Sequence, residues 1–389
     1  MSWENSTIGE VSQLVKTGKT PPSKEAKYFK DEINWYNPGD FNNGKLLAYS
    51  KRRISACALD DNKAVEYPEN SLLITCIGDI GKVGISREKC SSNQQITAIL
   101  PKKQIDVDFL YYWVVANKRT FENVANSAVV PILNNKGLRC LKFSYPPLSE
   151  QKRIAAILDE ADRLRQKDKQ LIEKYNELSQ SVFLELFGDP FNNQNNFEKG
   201  TIRDLVSEVK YGTSSKAEED GEYPYLRMNN ITYSGHMDFA KMKYINLTEK
   251  DKPKYLVQKG DLLFNRTNSK ELVGKTAVYN LDKPMAIAGY LIRVRANEKA
   301  NTIYISGYLN SVHGKMILNN MCKSIVGMAN INAQELQDIK ILVPPISLQS
   351  KFVTIITEIE QQKAQAEKSL AKSEDLFNSL LQRAFKGEL

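Results

Sequence analysis

Two Gly-Lys-Thr triplets, Gly18-Lys19-Thr20 and Gly274-Lys275-Thr276, stand where a phosphate-binding loop would end. Such a loop needs a glycine five residues ahead of its Gly-Lys, because the intervening amides curl around the phosphates. Those positions hold Gln13 and Ser269, so a basic residue beside a tight turn is the expected meaning. Asn37-Pro38-Gly39-Asp40 comes near the Asn-Pro-Pro-Tyr of adenine methyltransferases but lacks its second proline and its aromatic ring. There is no Gly-x-Gly-x-x-Gly after a strand, no Gly-x-Ser-x-Gly elbow and no His-Glu-x-x-His pair. The two histidines, His236 and His313, lie far apart without the Cys/His spacing of a zinc site. The expectation is a non-catalytic chain with no metal or cofactor of its own.

Nucleic acid suits the polar residues better. Lys51-Arg52-Arg53 forms a basic cluster, and Arg227-Met228-Asn229-Asn230 and Asn265-Arg266-Thr267-Asn268 combine guanidinium with amide groups at expected loops or strand ends. Arg pairs bidentately with guanine and Asn with adenine, whereas Lys, Thr and backbone amides hold phosphates. The net charge of +8 over 389 residues, with a pI near 8.9, adds weak support. With 41% hydrophobic and 26% charged residues the composition is globular, and the length suggests two or three domains. No apolar run approaches 18 residues, and no Lys or Arg precedes Lys16. Five scattered cysteines (Cys57, Cys76, Cys90, Cys140, Cys322) argue against a disulfide scaffold. A reduced, cytoplasmic protein without a membrane span or cleaved signal is expected.

The residues that could bind occur on a duplicated frame. Thr7-Ile8-Gly9-Glu10-Val11 matches Thr201-Ile202-Arg203-Asp204-Leu205 at an offset of 194, and Gly18 matches Gly212 at the same offset. Ser71-Leu72-Leu73 matches Asp261-Leu262-Leu263, Gly81-Lys82 matches Gly274-Lys275, and Tyr145-Pro146-Pro147-Leu148-Ser149-Glu150-Gln151 matches Val343-Pro344-Pro345-Ile346-Ser347-Leu348-Gln349, at offsets of 190, 193 and 198. The drift places length changes in loops between matched elements. Strands are expected at Ser71–Ile77, Gln95–Leu100, Asp261–Phe264 and Leu291–Val294, helices over Val107–Arg119 and around Ile305–Asn319, and turns at Asn134–Gly137 and Gly327–Asn330.

Each copy ends in a long charged helix, the first with Ser149 as its expected N-cap. Apolar residues recur at three- and four-residue spacing, and no Pro or Gly intervenes before Gly188 or Gly387. The seam is expected to use Ile157, Ala161, Leu164, Leu171 and Leu178 of the first helix and Ile356, Ile359, Leu370 and Phe377 of the second. Asp168, Lys363 and Ser373 interrupt the stripes, as polar residues do where register is fixed. At about 1.5 Å per residue such a helix approaches about 60 Å, too long to stand without a partner. The expected fold is α+β: two repeated α/β domains joined and separated by two antiparallel coiled-coil helices, with pseudo-two-fold symmetry. Its parts are residues 1–148, a helix at 149–188, a linker at 189–196, a second module at 197–345 and a helix at 346–389. Homodimerisation through the helices is the alternative.

Pro146-Pro147-Leu148-Ser149-Glu150-Gln151-Lys152-Arg153-Ile154-Ala155-Ala156-Ile157-Leu158-Asp159 closely resembles the start of the helix in specificity subunits of type I restriction-modification enzymes. Gly260-Asp261-Leu262-Leu263-Phe264-Asn265-Arg266 resembles a strand of their target-recognition domains, and Leu380 through Leu389 resembles the close of the family. The second helix start departs from it, since Ser347-Leu348-Gln349-Ser350-Lys351-Phe352 lacks the Glu-Gln-Lys-Arg run. The resemblance implies a non-catalytic subunit that binds a bipartite sequence in double-stranded DNA, one half-site per recognition domain. It also implies two modification subunits that use S-adenosylmethionine to methylate adenine, and in the full complex two restriction subunits that use ATP and Mg²⁺. On that basis Lys19, Lys51, Arg52, Arg53, Lys82 and Lys275 are expected at phosphates. Thr75, Gln94 and Gln95 are expected to read the first half-site, and Arg227, Asn229, Asn265, Arg266 and Thr267 the second. A stand-alone methyltransferase or nuclease, and a scaffold without DNA specificity, are the other readings.

Overall fold

A computed structural model describes residues 3–41, 44–125, 130–269, 272–321, 323–325 and 328–389. The chain divides into two compact units, Met1–Lys167 with Ser369–Leu389, and Asp168–Lys368. Both long helices, Leu148–Phe187 and Ile346–Lys386, therefore contribute residues to both units.

In the first unit, Glu4–Thr7 pairs antiparallel with Lys142–Tyr145 and ties the start of the module to its end. A four-stranded antiparallel sheet runs in the order Ser12–Thr17, Ile96–Pro101, Ser71–Thr75, Val83–Ser86. Side chains alternate along its strands. Leu72, Ile74 and Ile99 enter the main core with Phe109, Trp113 and Phe143, while Leu73, Ile96 and Ala98 face a second cluster with Tyr36 and Tyr67. A smaller sheet joins Ile33–Tyr36 antiparallel to Arg53–Ile54 and parallel to Ser91–Ser92.

The second unit repeats this plan in register. Val206–Tyr211, Leu291–Ala296, Leu262–Asn265 and Thr276–Val278 follow the same order, and Tyr223–Leu226 pairs parallel with Met285–Ile287. Even the irregularity recurs. One bulge lies between Ser12 and Leu14, facing Pro101 and Leu100, and another lies between Val206 and Glu208, facing Ala296 and Arg295.

The expected helix over Val107–Arg119 breaks at Asn117 into Val107–Ala116 and Lys118–Val124. Its counterpart breaks at Ser311, whose extended backbone separates Thr302–Asn310 from Val312–Met321. The first expected turn is instead a short helix, Asn135–Arg139, because the Asn134 side chain accepts from the Gly137 amide and caps it. In the second, Met328–Asn330 forms a strand and Gly327 lies outside the described residues.

Ser149 is not the N-cap of the first long helix. That helix starts at Leu148, and the Pro147 carbonyl accepts from the Glu150 and Gln151 amides. The side chain that anchors the helix start is Gln151, fully buried. Its Oε1 accepts from the Asp106 amide at 2.9 Å, and its Nε2 donates to the Gln104 and Pro146 carbonyls at 3.0 and 2.9 Å. Gln349 repeats the same three bonds with the Asn301 amide and the Lys299 and Pro344 carbonyls, at 2.9, 3.0 and 2.9 Å. The Ser-x-Gln pattern common to both copies thus marks a joint between module and helix.

The helix segments pack antiparallel within each unit. In the first, Ile154, Leu158 and Ala161 share a core with Phe377, Leu381 and Ala384, and the Arg165 guanidinium lies 4.3 Å over the Phe377 ring. In the second, Phe183 and Phe187 contact Phe352 at ring separations of 5.7 and 5.2 Å, while Lys363 Nζ donates to Asn176 Oδ1 at 2.7 Å. Ala161, Ile359 and Phe377 are buried, and Ile157, Ile356 and Leu370 are half-buried. Leu164, Leu171 and Leu178 are not in the seam: they are 42%, 41% and 45% exposed. The half-buried positions one residue later are Arg165, Ile172 and Ser179, so the leucine repeat flanks a stripe partly built of polar residues. Lys363, 5% exposed, and Ser373 are polar members of the second stripe.

Candidate nucleic-acid interface

The selected polar residues meet at one place in each unit, and those places correspond. The last residue of the second sheet strand is Thr75 in one unit and Asn265 in the other, and each amide donates to the carbonyl of a following lysine, Lys82 at 2.9 Å and Lys275 at 2.8 Å. One residue on, the Cys76 amide donates to Gln95 and the Arg266 amide to Tyr290. Gly81 and Gly274, ahead of the lysines, have φ of +86° and +76°, which glycine adopts without a side-chain penalty. That explains the second Gly-Lys-Thr. The first has another cause: Gly18 crosses the Ser92–Asn93 backbone so closely that a Cβ would sit 2.2 Å from the Ser92 oxygen, and Gly212 makes the same crossing 2.3 Å from the Ala288 and Ile287 oxygens.

In the first unit Gln95 joins a polar network. The Asn37 and Lys51 amides donate to Asp40, at 2.7 and 3.1 Å. Asn93 Nδ2 donates to Asn37 Oδ1 at 3.0 Å and to Gln95 Oε1 at 3.1 Å. Thr20 donates to Gln94 Oε1, and Trp35 Nε1 donates to the Lys19 carbonyl at 3.1 Å. The Arg52 guanidinium lies 4.6 Å over Phe29 and 5.3 Å over Trp35. Lys19, Lys51, Arg52 and Gln94 are exposed at this surface. Arg53 is half-buried, paired with Asp31 at 3.1 Å and donating to the Glu32 carbonyl, and Lys82 pairs with Asp79 at 3.0 Å. Thr75 is fully buried, its hydroxyl donating to the Asp79 carbonyl at 2.5 Å and accepting from the Lys82 amide at 3.0 Å. Its position is at the strand end, but its polar group faces the hairpin.

The second unit presents more unpaired groups. Asn265 is fully buried, and neither amide atom of its side chain has a partner among the described residues. Arg266 lies 4.9 Å over the Tyr211 ring, its Nε without a partner. Arg227 donates from one nitrogen to the Lys241 carbonyl at 2.8 Å, while its Nε has no partner. Thr267 donates to Asn330 at 3.1 Å, and Asn229 is exposed. Lys275 donates to the Met228 carbonyl at 2.8 Å, and burial lowers its pKa. Lys315, not selected from the sequence, lies 4.7 Å over Tyr233, and burial together with the Lys275 charge pushes its pKa down to about 8. Unsatisfied buried donors are costly and ask for a function. The equivalence of Thr75, Lys82 and Gln95 with Asn265, Lys275 and Tyr290 follows offsets of 190 to 195 in the sequence, but their difference in hydrogen bonding does not.

The histidines serve structure. His313 packs edge-on against Phe191 and Tyr308, and His236 Nε2 meets Glu360 Oε1 at 2.9 Å beside Lys363. Burial raises the Glu360 pKa, but the His236 bond and the charges of His236 and Lys363 outweigh it and leave it lowered. Among the described residues no group of His, Cys, Asp and Glu could hold a metal, and no helix is long and apolar enough to cross a membrane.

Comparison with known proteins follows the same division. The model of the type I restriction modification DNA specificity domain matches residues 1–174 and again 194–373. The chain is 23% identical to the EcoKI specificity subunit of Escherichia coli K12, covering 100% of this chain and 89% of that protein. It is 22% identical to the MjaIX specificity subunit of Methanocaldococcus jannaschii, covering 100% and 93%. Its fold is that of the type I restriction-modification S subunit from M. genitalium, with a TM-score of 0.63 at 16% identity over 99% of this chain and 96% of the other.

Proposed function

The chain belongs to the type I restriction-modification DNA specificity family, and from that premise we propose that each of its two units reads one half of a bipartite duplex target. The observation that carries this reading is the recurrence of one polar strand end, Thr75–Lys82–Gln95 and Asn265–Lys275–Tyr290, at matched positions of the two units. As a specificity subunit the chain is the non-catalytic, DNA-binding component of its complex. Lys19, Lys51 and Arg52 neutralise phosphates beside the first half-site, with Gln94 and Gln95 at base edges. Arg227, Asn229, Asn265, Arg266 and Thr267 read the second, and Lys275 supports them. Arg53 and Lys82 reach phosphates by exchanging their carboxylate partners, Asp31 and Asp79, which are themselves exposed.

The partners carry the chemistry. Two modification subunits using S-adenosylmethionine methylate adenine at the target, and two restriction subunits using ATP and Mg²⁺ cut DNA. The two long helices, each shared by both units, set the unread gap between half-sites.

Arg266→Ala in the complex with modification subunits tests the assignment. Discrimination at the second half-site should fall by about 1–3 kcal/mol while the first is unchanged. Equal weakening on every sequence would make Arg266 a phosphate contact instead.

A further inference from the structure

An open cleft of about 450 Å³ in the first unit is lined by Gly18, Lys19, Thr20, Pro22, Asn62, Lys63 and Gln94. It contains no carboxylate. Lys19 Nζ donates to the Asn62 carbonyl at 3.4 Å, and neither Lys19 nor Lys63 has an ion-pair partner among the described residues. Gln94 Oε1 is already occupied by the Thr20 hydroxyl, so the amide has its two N–H donors left to offer.

Both walls are fixed by backbone. On one side the Gly18 and Lys19 amides donate to the Ile96 and Ser92 carbonyls at 3.0 Å each, and any Cβ at Gly18 would collide with that strand. On the other, Asn62 ends the helix Ala56–Asp60 with φ of +56°, its amide bound to the Leu59 carbonyl at 2.9 Å, and the Lys63 amide is bound to the Ala58 carbonyl at 2.9 Å. Two lysines outside any ion pair among the described residues and a donor amide thus line a solvent-open slot whose walls are held by backbone hydrogen bonds.

We propose that this cleft seats a phosphodiester of the duplex next to the first half-site, held by Lys19, Lys63 and the Gln94 amide. The inference rests on the DNA reading above; it adds Lys63 and moves Gln94 from a base edge to the phosphodiester backbone. Gln94 then acts as a donor to the backbone or to an acceptor atom beside it, and the slot fixes the register of the first unit on DNA without itself selecting a base.

The test uses the complex with its modification subunits and duplexes carrying the target or a scrambled first half-site, across a salt series. Lys63→Ala should weaken binding to both duplexes by the same factor and reduce the slope of log K against log salt by about one. Gln94→Glu, which replaces a donor with a negative charge, should weaken binding more than Gln94→Ala. Unchanged affinity and slope for Lys63→Ala, or a Gln94→Glu complex that binds at least as well as Gln94→Ala, overturns the cleft assignment while leaving the DNA reading in place. Failure of the parent complex to bind any duplex overturns both. Inorganic phosphate is the third arm: saturation of the cleft at micromolar concentrations, read by lysine chemical shifts, would make it a free-anion site and overturn the duplex assignment.

Discussion

In the first unit the sheet positions Leu14, Ala98 and Leu100 are apolar; in the second, the positions in the same register hold Glu208, Arg293 and Arg295. Ser71, which caps its own turn through the Pro68 carbonyl, is matched by Asp261. The second sheet therefore encloses an ion cluster where the first does not. Arg293 is fully buried, bonded to Glu208 Oε2 at 2.6 Å and to the Leu256 carbonyl, and Arg295 Nε donates to Asp261 Oδ1 at 2.7 Å. One register with one bulge tolerates both fillings, so backbone pairing and not the identity of the core side chains defines this module. A buried ion cluster is also fragile in a particular way: losing one member strands the others, whereas replacing all of them need not.

Arg293→Ala should therefore destabilise the second unit by about 3–5 kcal/mol. Transplanting the chemistry of the first unit, with Glu208→Leu, Asp261→Ser, Arg293→Ala and Arg295→Leu together, should cost less than that single change. Hydrogen exchange resolved to the two sheets reads both, and a quadruple variant worse than Arg293→Ala would break the equivalence of the units. Where the units agree, effects should be equal. Gln151→Ala and Gln349→Ala each strand one buried amide and two carbonyls, so each should cost about 1–3 kcal/mol in its own unit. A twofold inequality between them would show that the two joints differ after all.

Acid separates the units next. Burial raises the Glu208 pKa, but hydrogen bonds from Lys210 and Arg293 and the charges of Arg293 and Arg295 bring it below its ordinary 4.5, and Glu360 is lowered as well. In the first unit Asp108 is the partly buried counterpart: burial raises it, and Lys45 and Arg87 outweigh that to lower it. A lowered carboxylate stabilises the fold fully above its unfolded pKa and loses that contribution as pH falls through the folded value. The second unit should lose more exchange protection than the first between pH 5 and pH 3, pH values set by the ordinary carboxylate range of about 4. The smallest effects should have opposite signs. Thr75→Val breaks satisfied bonds and should cost about 1 kcal/mol. Asn265→Leu removes an unsatisfied buried amide and should leave stability equal or higher, while discrimination at the second half-site is lost. Thermal unfolding paired with binding on scrambled half-sites measures both.

Much of this is legible in the sequence. The duplication, the strand ends and the two long helices follow from offsets and periodicity, since these depend on residues near one another in sequence. The seam departs from the expected one at Leu164, Leu171 and Leu178 because two of the half-buried neighbours, Arg165 and Ser179, are polar and do not count in an apolar stripe, although the Arg165 guanidinium covers the Phe377 ring. Lys363 was legible as an interruption but not as a bond to Asn176, 187 residues away. Gln151 and Gln349 were visible as a shared motif, yet their purpose depends on the amides of Asp106 and Asn301, which only folding brings near. Thr75 and Asn265 are alike in sequence position and opposite in satisfaction: a short hydroxyl folds back onto its hairpin, and the larger amide has no such partner.

The central claim is that each unit reads half of one target. A binding selection on randomised duplexes at fixed salt, using the chain assembled with its modification subunits, tests it most directly. The account predicts two short motifs separated by a constant unread gap, with the second motif alone degraded by Arg266→Ala. A single compact motif, or a stable complex that selects no motif, would contradict it.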